Sequence, residues 1–227
     1  MLQAVIFDFD GVITDSEILH FRAFNKVLAP HGLELTKKEY YGKYLGLSDV
    51  DCFKTLIGEG RLGIPAAQVK ALVQKKTHVF EELARTDGKI IEGVREFLGL
   101  LAAEKVRTAI CSGALRAEIE LILEDANLRG FFEVIVSAEE VKRGKPHPDG
   151  FLLALKRLNA GGVTRIAPQQ CVVIEDSHWG LQAAKAAGMQ TVAVTNTYEA
   201  DQLAGAGKIV TRLDALTVKD LERLCLS

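Results

Sequence analysis

Short apolar runs rich in β-branched residues alternate with longer amphipathic stretches along much of this chain, and this alternation constrains its fold most. Patterns typical of helices separate the later apolar runs, at residues 94–103, 117–125, 148–158 and 180–187. Strand alternating with helix is the signature of a parallel sheet covered by helices. We therefore predict an α/β fold, a doubly wound parallel sheet with a Rossmann-like core, whose strands lie at residues 4–7, 106–111, 134–136, 171–174, 191–194 and 208–210.

The interval between the first two predicted strands breaks this rhythm. Residues 16–85 contain no convincing strand pattern and show instead four amphipathic helical patterns, at residues 17–28, 37–44, 48–57 and 66–84. A crossover between parallel strands needs only about a dozen residues. We therefore predict a helical cap domain at residues 16–85, inserted after strand one into a core domain made of residues 1–15 and 86–227.

Composition argues against several classes of function. The net charge of −2 comes without a block of like charges, so neither a nucleic-acid partner nor a membrane-surface partner is expected. No uncharged apolar run approaches the roughly 20 residues of a membrane span, and no basic and apolar leader is visible. The four cysteines lie far apart, without the spacing of a metal or redox motif. We expect a soluble cytoplasmic protein and, because no exposed apolar helix stands out, a monomer.

A pair of acidic residues closes the first predicted strand. Asp8 and Asp10 flank Phe9 directly after the apolar run. Open α/β sheets bind their ligands at the carboxyl ends of strands, and a buried strand avoids charge unless the charge is paired or holds a metal. One carboxylate is suited to attack a substrate and the other to move a proton, with a divalent cation holding both. The plainer alternative is an Asx-type turn that ends a strand.

Three further polar signals follow in order along the chain. Ser112 and Gly113 close the second predicted strand, where a hydroxyl and a small residue before a helix suit phosphate oxygens, although the pair also suits a turn or an N-cap. Lys145 lies in a loop stiffened by prolines and is either a phosphate-neutralising group or a solvated charge. Glu175 and Asp176 close another predicted strand and form an oxygen-rich pair suited to Mg²⁺, or an acidic helix start.

The order of these signals resembles the haloacid dehalogenase superfamily, in the branch with a helical cap after strand one. Within that branch the chain is similar to the β-phosphoglucomutase and sugar-phosphate phosphatase group, and the match covers essentially the whole chain. The motifs are specific for the superfamily and its mechanism but not for a substrate. The segments that carry the resemblance are Asp8-Phe9-Asp10-Gly11-Val12-Ile13-Thr14-Asp15-Ser16, Cys111-Ser112-Gly113, Gly144-Lys145-Pro146 and Ile174-Glu175-Asp176-Ser177.

The resemblance implies a role for each of these residues. Asp8 is then the nucleophile that forms an aspartyl-phosphate, and Asp10 protonates the leaving oxygen before it deprotonates the attacking water. An aspartate at position 10 favours phosphate esters over the dehalogenase and phosphonate chemistry of other members. The resemblance also implies two ligand sets. Mg²⁺ is bound by Asp8, the backbone carbonyl of Asp10 and Asp176, with Glu175 directly or through water. Phosphate is bound by Ser112, the Gly113 amide and Lys145.

Three residues of the predicted cap also match positions of β-phosphoglucomutase. Ser16 matches a hinge position and His20 an active-site position, although His20 on spacing alone also suits a partly buried cap residue. Lys75 or Lys76 is expected to point toward substrate, as a cap lysine does in the mutase, and Lys76 is the candidate we choose. The alternative for a lysine late in an amphipathic helix is simple solvation.

One departure from the mutase pattern bears on the reaction. The mutase holds its non-transferring phosphate with an arginine in a Gly-x-Ser-Arg context, whereas this chain reads Gly46-Leu47-Ser48-Asp49. An aspartate there would repel a second phosphate. We therefore expect a Mg²⁺-dependent phosphatase of a small phosphorylated metabolite, a sugar phosphate or similar monoester. The alternatives are a sugar phosphomutase and a non-catalytic protein that binds phosphometabolites.

Overall fold

The computed structural model describes residues 1–45, 47–160 and 165–226. The chain forms two compact units, which we call the core unit and the cap unit. The core unit comprises Met1–Asp15 and Lys89–Ser227, and the cap unit comprises Ser16–Gly88. Each unit contains a hydrophobic core of its own.

A parallel sheet forms the centre of the core unit. Its strands within the described residues are β1 Ala4–Phe7, β2 Arg107–Cys111, β3 Val134–Val136, β4 Cys171–Glu175, β5 Gln190–Val194 and β6 Lys208–Val210. These six strands lie in the order β3-β2-β1-β4-β5-β6, and every neighbouring pair is parallel. The reversal of strand order at β1 is the topology of a doubly wound sheet, so the predicted fold class is confirmed.

Each predicted helix agrees with an observed one to within a few residues, with one exception, and the helix at Val218–Leu224 was not predicted. The predicted helix at 37–44 is a short α-helical turn that continues as a π-helix at Tyr40–Tyr44. This wider turn accompanies the burial of both end tyrosines, whose hydroxyls donate to Glu17 and Glu59. The helices are α1 Glu17–Leu28, α2 Lys37–Glu39, α3 Asp49–Gly58, α4 Val69–Asp87, α5 Val94–Ala103, α6 Arg116–Asp125, α7 Asp149–Ala160, α8 His178–Ala186 and α9 Val218–Leu224.

The central strand β1 is buried along its whole length because helices cover both faces of the sheet. All four of its residues are fully buried, which explains the continuous apolar sequence. Phe7 at its end is level with Ile110 of β2 and Ile174 of β4. The segments that follow these three strands therefore emerge at the same edge of the sheet.

The cap unit is helical, and its core is built mainly from α1, α3 and α4. Phe24, Phe53 and Leu72, one from each of these helices, belong to one buried cluster. Among the described residues, no helix has both the length and the apolar character needed to cross a bilayer.

Candidate active site

The carboxyl edge of the core sheet brings together the acidic residues that the sequence places far apart. Asp8 continues β1, and its backbone N–H donates to the Ile174 carbonyl at 2.9 Å. The side chains of Asp8, Glu175 and Asp176 are buried, and one carboxylate oxygen from each lies within 4.8 Å of the others. This proximity follows from the pairing of β1 with β4 and was expected from the sequence.

Lys145 lies between two of these carboxylates. Its Nζ is 2.7 Å from Asp8 Oδ1 and 2.5 Å from Glu175 Oε1. The ammonium group also lies 5.4 Å from the centre of the Phe151 ring. Lys145 is therefore a fixed and largely buried charge, which differs from the alternative of a solvated loop lysine.

The electrostatics of the cluster follow from an excess of negative charge in a buried place. Burial lowers the pKa of Lys145, but the Asp8 and Glu175 carboxylates outweigh it and raise that pKa, so the lysine stays cationic. Burial raises the pKa of Asp8, opposed by Lys145 and assisted by the other carboxylates. Burial, followed by the charge of Glu175, raises the pKa of Asp176 to about 7. One ammonium group thus does not balance the acidic side chains around it.

The chemistry of this donor set fits a hard divalent cation. The three clustered side chains offer only carboxylate oxygens, which are the ligands that Mg²⁺ and similar ions prefer. The pKa of Asp176 is raised by burial first and by the charge of Glu175 second, and a bound dication would offset both. The predicted fourth ligand, the backbone carbonyl of Asp10, is not a side-chain donor and stays a prediction.

The Glu175 carboxylate is fixed by the start of helix α8. Its Oε2 accepts hydrogen bonds from the Asp176 and Ser177 backbone N–H groups, both at 3.1 Å, and from the Ser177 hydroxyl at 2.9 Å. A Cβ at Gly180 would overlap the Glu175 carboxyl group, so a glycine is needed there for lack of space. Ser177 therefore caps α8 and orients Glu175 at once.

The predicted phosphate-binding residues adjoin a cavity of about 360 Å³ in the core unit. Ser112, Gly113 and Lys145 line it together with Cys111 and Phe151. The Ser112 hydroxyl donates to Asp10 Oδ2 at 3.4 Å. A Cβ at Gly113 would meet no heavy atom within 4 Å, so the protein itself leaves open space at that position. The three residues predicted to bind phosphate therefore line one cavity.

The cap unit contains a second polar cluster, centred on Lys76. The Lys76 side chain is 0% exposed, and its ammonium group donates to Asp49 Oδ1 at 2.8 Å and lies 2.5 Å from His20 Nδ1. The His20 ring stacks on Phe80 with a centroid distance of 4.1 Å. Burial, and after it the charge of Lys76, holds the pKa of His20 well below its usual value. His20 is therefore a neutral imidazole whose Nδ1 accepts from Lys76, which leaves the ring proton on Nε2.

The structure brings two of the three predicted cap residues, His20 and Lys76, into contact. The alternative of a solvated lysine is wrong for Lys76, because the charge of Asp49 and the rings around it compensate its burial. Ser16 is buried at the start of α1, where its carbonyl accepts from the backbone of His20 at 3.0 Å. Gly46, which belongs to the segment compared with the mutase, lies outside the described residues.

Sequence reasoning missed two residues that contact this site. Asn196 Nδ2 donates to the Gly11 carbonyl at 2.8 Å, and the Thr197 hydroxyl donates to Asp176 Oδ2. Both follow β5, the neighbour of β4 in the sheet. The signal that could have found them is the one used for the other strands, because polar residues at the carboxyl end of a buried parallel strand are candidates for the site.

The fold and the site together define an α/β protein with a doubly wound parallel sheet, whose carboxyl edge carries buried carboxylates and a lysine. The model of the haloacid dehalogenase-like hydrolase family matches residues 5–194 of this chain. The chain therefore belongs to the haloacid dehalogenase-like hydrolase family, as the motifs predicted.

Relatives of known function agree with this assignment. A phosphorylated carbohydrates phosphatase from Thermotoga maritima is 32% identical over 192 residues, which are 84% of each chain. A fructose-1-phosphate phosphatase from Escherichia coli is 31% identical over 202 residues, which cover 84% of this chain and 95% of the relative. For the fold alone, the structure of β-phosphoglucomutase from Clostridium difficile matches with a TM-score of 0.79 at 24% identity, over 100% of this chain and 98% of that one. The protein is a phosphohydrolase of this family.

Proposed function

We propose that this protein is a Mg²⁺-dependent phosphatase that hydrolyses a small sugar phosphate through an aspartyl-phosphate on Asp8. The observation that carries the proposal is the bridge of Lys145 between Asp8 and Glu175, at 2.7 and 2.5 Å, within a cluster of buried carboxylates. A buried carboxylate held by a lysine beside an open cavity is suited to attack a bound phosphate.

The residues of the core unit divide the reaction between them. An Asp8 oxygen attacks phosphorus while the bond from phosphorus to the sugar oxygen breaks, and Asp10 gives that oxygen a proton. Water then attacks phosphorus and gives a proton back to Asp10, while the bond to Asp8 breaks and inorganic phosphate leaves. The net reaction consumes one water and leaves the enzyme unchanged.

The neighbours of Asp8 and Asp10 hold the charged groups in place. Lys145 neutralises the charge of Asp8 and of the incoming phosphate, and Ser112, which donates to Asp10 Oδ2, lines the cavity with Gly113. A Mg²⁺ ion held by Asp8, Glu175, Asp176 and the Asp10 carbonyl would supply further positive charge against the phosphate oxygens. Phosphoryl transfer depends mainly on such positioning and neutralisation of charge.

The substrate class comes from the relatives. The two phosphatases above are named for phosphorylated carbohydrates and for fructose 1-phosphate, and each is more than 30% identical over 84% of this chain. We infer that the substrate of this chain is a phosphorylated sugar similar in size to the substrates for which those two relatives are named. No nucleic acid or membrane enters this proposal.

The cap cluster favours hydrolysis over the mutase alternative. A mutase must hold a second phosphate, and an anion is held by cations whose charge is available. The charge of buried Lys76 is already offset by Asp49 at 2.8 Å. The ion pair with Asp49 thus leaves Lys76 less able to hold a second phosphate, and the Asp49 carboxylate would itself repel one.

The test is phosphate release from a panel of sugar monophosphates, with Mg²⁺ and with a chelator. We expect release that needs the metal and is lost in Asp8→Asn. Gly113→Ala should weaken phosphate binding, because its methyl group enters open space beside the cavity, whereas Gly99→Ala, also in open space but on α5, should not. Full activity of Asp8→Asn would refute the proposal.

The same panel separates the two alternative functions. Isomerisation of a sugar phosphate that requires added bisphosphate, with little phosphate release, would establish the mutase. Tight binding of sugar phosphates without release or isomerisation would establish the binding protein.

A further inference from the structure

The loop after β5 connects the acidic pair at the end of β4 with the turn that follows the predicted nucleophile. Glu175 is level with Ala193 in the parallel pairing of β4 with β5. The segments that follow these two strands therefore emerge side by side, with Asp176 on one and Thr195 to Thr197 on the other. The topology alone places polar loop residues next to Asp176.

The side chains of that loop make two hydrogen bonds with the site. The Thr197 hydroxyl donates to Asp176 Oδ2, and Asn196 Nδ2 donates to the Gly11 carbonyl at 2.8 Å. A threonine hydroxyl has a single proton to donate, so this bond fixes one carboxylate oxygen of Asp176 in a defined direction.

Gly11 shows how closely these groups fit. Its φ of +74° lies in the left-handed region, which favours glycine, and a Cβ there would overlap the Asp176 carboxyl group and the Thr197 hydroxyl. The turn after β1, the acid after β4 and the threonine after β5 are thus in direct contact. A side chain at Gly11 would therefore displace Asp176 or Thr197.

We propose that Thr197 is a positioning residue that sets the affinity of the acidic cluster for its divalent cation by holding Asp176. The inference rests on the proposed function, because it requires that Asp8, Glu175 and Asp176 bind a metal. Groups that hydrogen-bond to metal ligands orient them before the ion arrives, and their removal weakens binding although they do not touch the ion. Asn196 assists by fixing the Gly11 carbonyl of the adjoining turn.

Three substitutions separate the hydroxyl from the shape of the side chain. Thr197→Val keeps the shape and loses the hydroxyl, Thr197→Ala loses both, and Thr197→Ser keeps the hydroxyl. Thr197 is exposed, so none of these changes disturbs the hydrophobic core. Thr211→Val, at another exposed threonine of the core unit, is the matched control.

The experiment is direct titration of the purified full-length chain with Mn²⁺, followed by calorimetry and by the rise in melting temperature that Mn²⁺ causes. We expect the Kd for Mn²⁺ to rise about 10- to 100-fold in Thr197→Val and Thr197→Ala, and to stay close to wild type in Thr197→Ser and Thr211→Val. Wild-type affinity in either variant that lacks the hydroxyl would overturn the inference and leave the proposed function intact. A wild-type chain that binds no Mn²⁺ would overturn both.

Discussion

The buried imidazole of the cap unit makes a prediction about pH and stability. His20 contacts Lys76 and stacks on Phe80, and burial together with the charge of Lys76 keeps its pKa well below 6.5. In the unfolded chain His20 takes up a proton as the pH falls through about 6.5, whereas in the folded chain it stays neutral. The unfolded state then binds more protons, so the free energy of unfolding must fall with the pH.

The magnitude follows from linkage. For one group that is protonated only in the unfolded state, the free energy of unfolding changes by about 1.4 kcal/mol per pH unit below its unfolded pKa. Between about pH 7.5 and pH 5.5, the contribution of His20 should therefore fall by about 1.4 kcal/mol. This is the full value for an imidazole that stays neutral in the folded chain across this range.

The perturbation that isolates this contribution is His20→Asn. The asparagine carbonyl oxygen can accept from Lys76 in place of Nδ1 but does not titrate. The assay is hydrogen exchange of backbone amides in α1 and α4 at the two pH values, because it reports opening of the cap unit itself. We expect wild type to lose about 1.4 kcal/mol of stability relative to His20→Asn as the pH falls.

The control is His78→Asn, which removes an imidazole that is 74% exposed on the same helix as Lys76. Subtracting the free energy of unfolding of His20→Asn from that of wild type cancels the contribution of the carboxylates in the core unit, because they titrate alike in both proteins. If the free energy of unfolding of wild type minus that of His20→Asn were equal at both pH values, or larger at low pH, the assignment of His20 as a buried neutral base would be wrong.

Two further substitutions test the core unit. Gly180→Ala places a methyl group against the Glu175 carboxylate, so we expect the free energy of unfolding to fall by about 1–3 kcal/mol and Mn²⁺ binding to weaken. The control Gly99→Ala places its methyl group in open space on α5 and should raise the free energy of unfolding by up to about 1 kcal/mol. Denaturant melts and titration with Mn²⁺ of the two variants check both expectations. Lys145→Met leaves Asp8 and Glu175 buried together without their cation, so we expect a loss of about 3–5 kcal/mol in the free energy of unfolding and no phosphate release. A Lys145→Met chain as stable and as active as wild type would contradict the role of that lysine.

The sheet and its site residues could be predicted from the sequence because burial of a strand requires a run of apolar residues, which can be recognised directly in the sequence. Strands such as β1 and β4 are covered on both faces, so they appear as uninterrupted apolar runs. Parallel pairing then sends Asp8, Ser112 and Glu175 to one edge without further information. Lys145 belongs to a loop, and only its place in a known order of motifs distinguished it from a solvated charge.

The cap cluster could not be predicted because no local pattern encodes it. Lys76 is 56 residues from His20 and 27 residues from Asp49, and only the packing of α1, α3 and α4 brings the three together. A lysine in an amphipathic helix suggests solvation, and the residues next to Lys76 in sequence do not indicate that Asp49 compensates its burial. The hydroxyl of Thr197 was missed for a similar reason, since a polar loop residue gives no sign of its partner.

The measurement that tests the central claim most directly is mass spectrometry of the enzyme after rapid acid quench during turnover of a sugar phosphate. The account predicts the added mass of one phosphoryl group on the peptide that contains Asp8, and neither this adduct nor phosphate release in Asp8→Asn. Phosphate release at the wild-type rate by Asp8→Asn, with no phosphoryl group on that peptide in either protein, would contradict it.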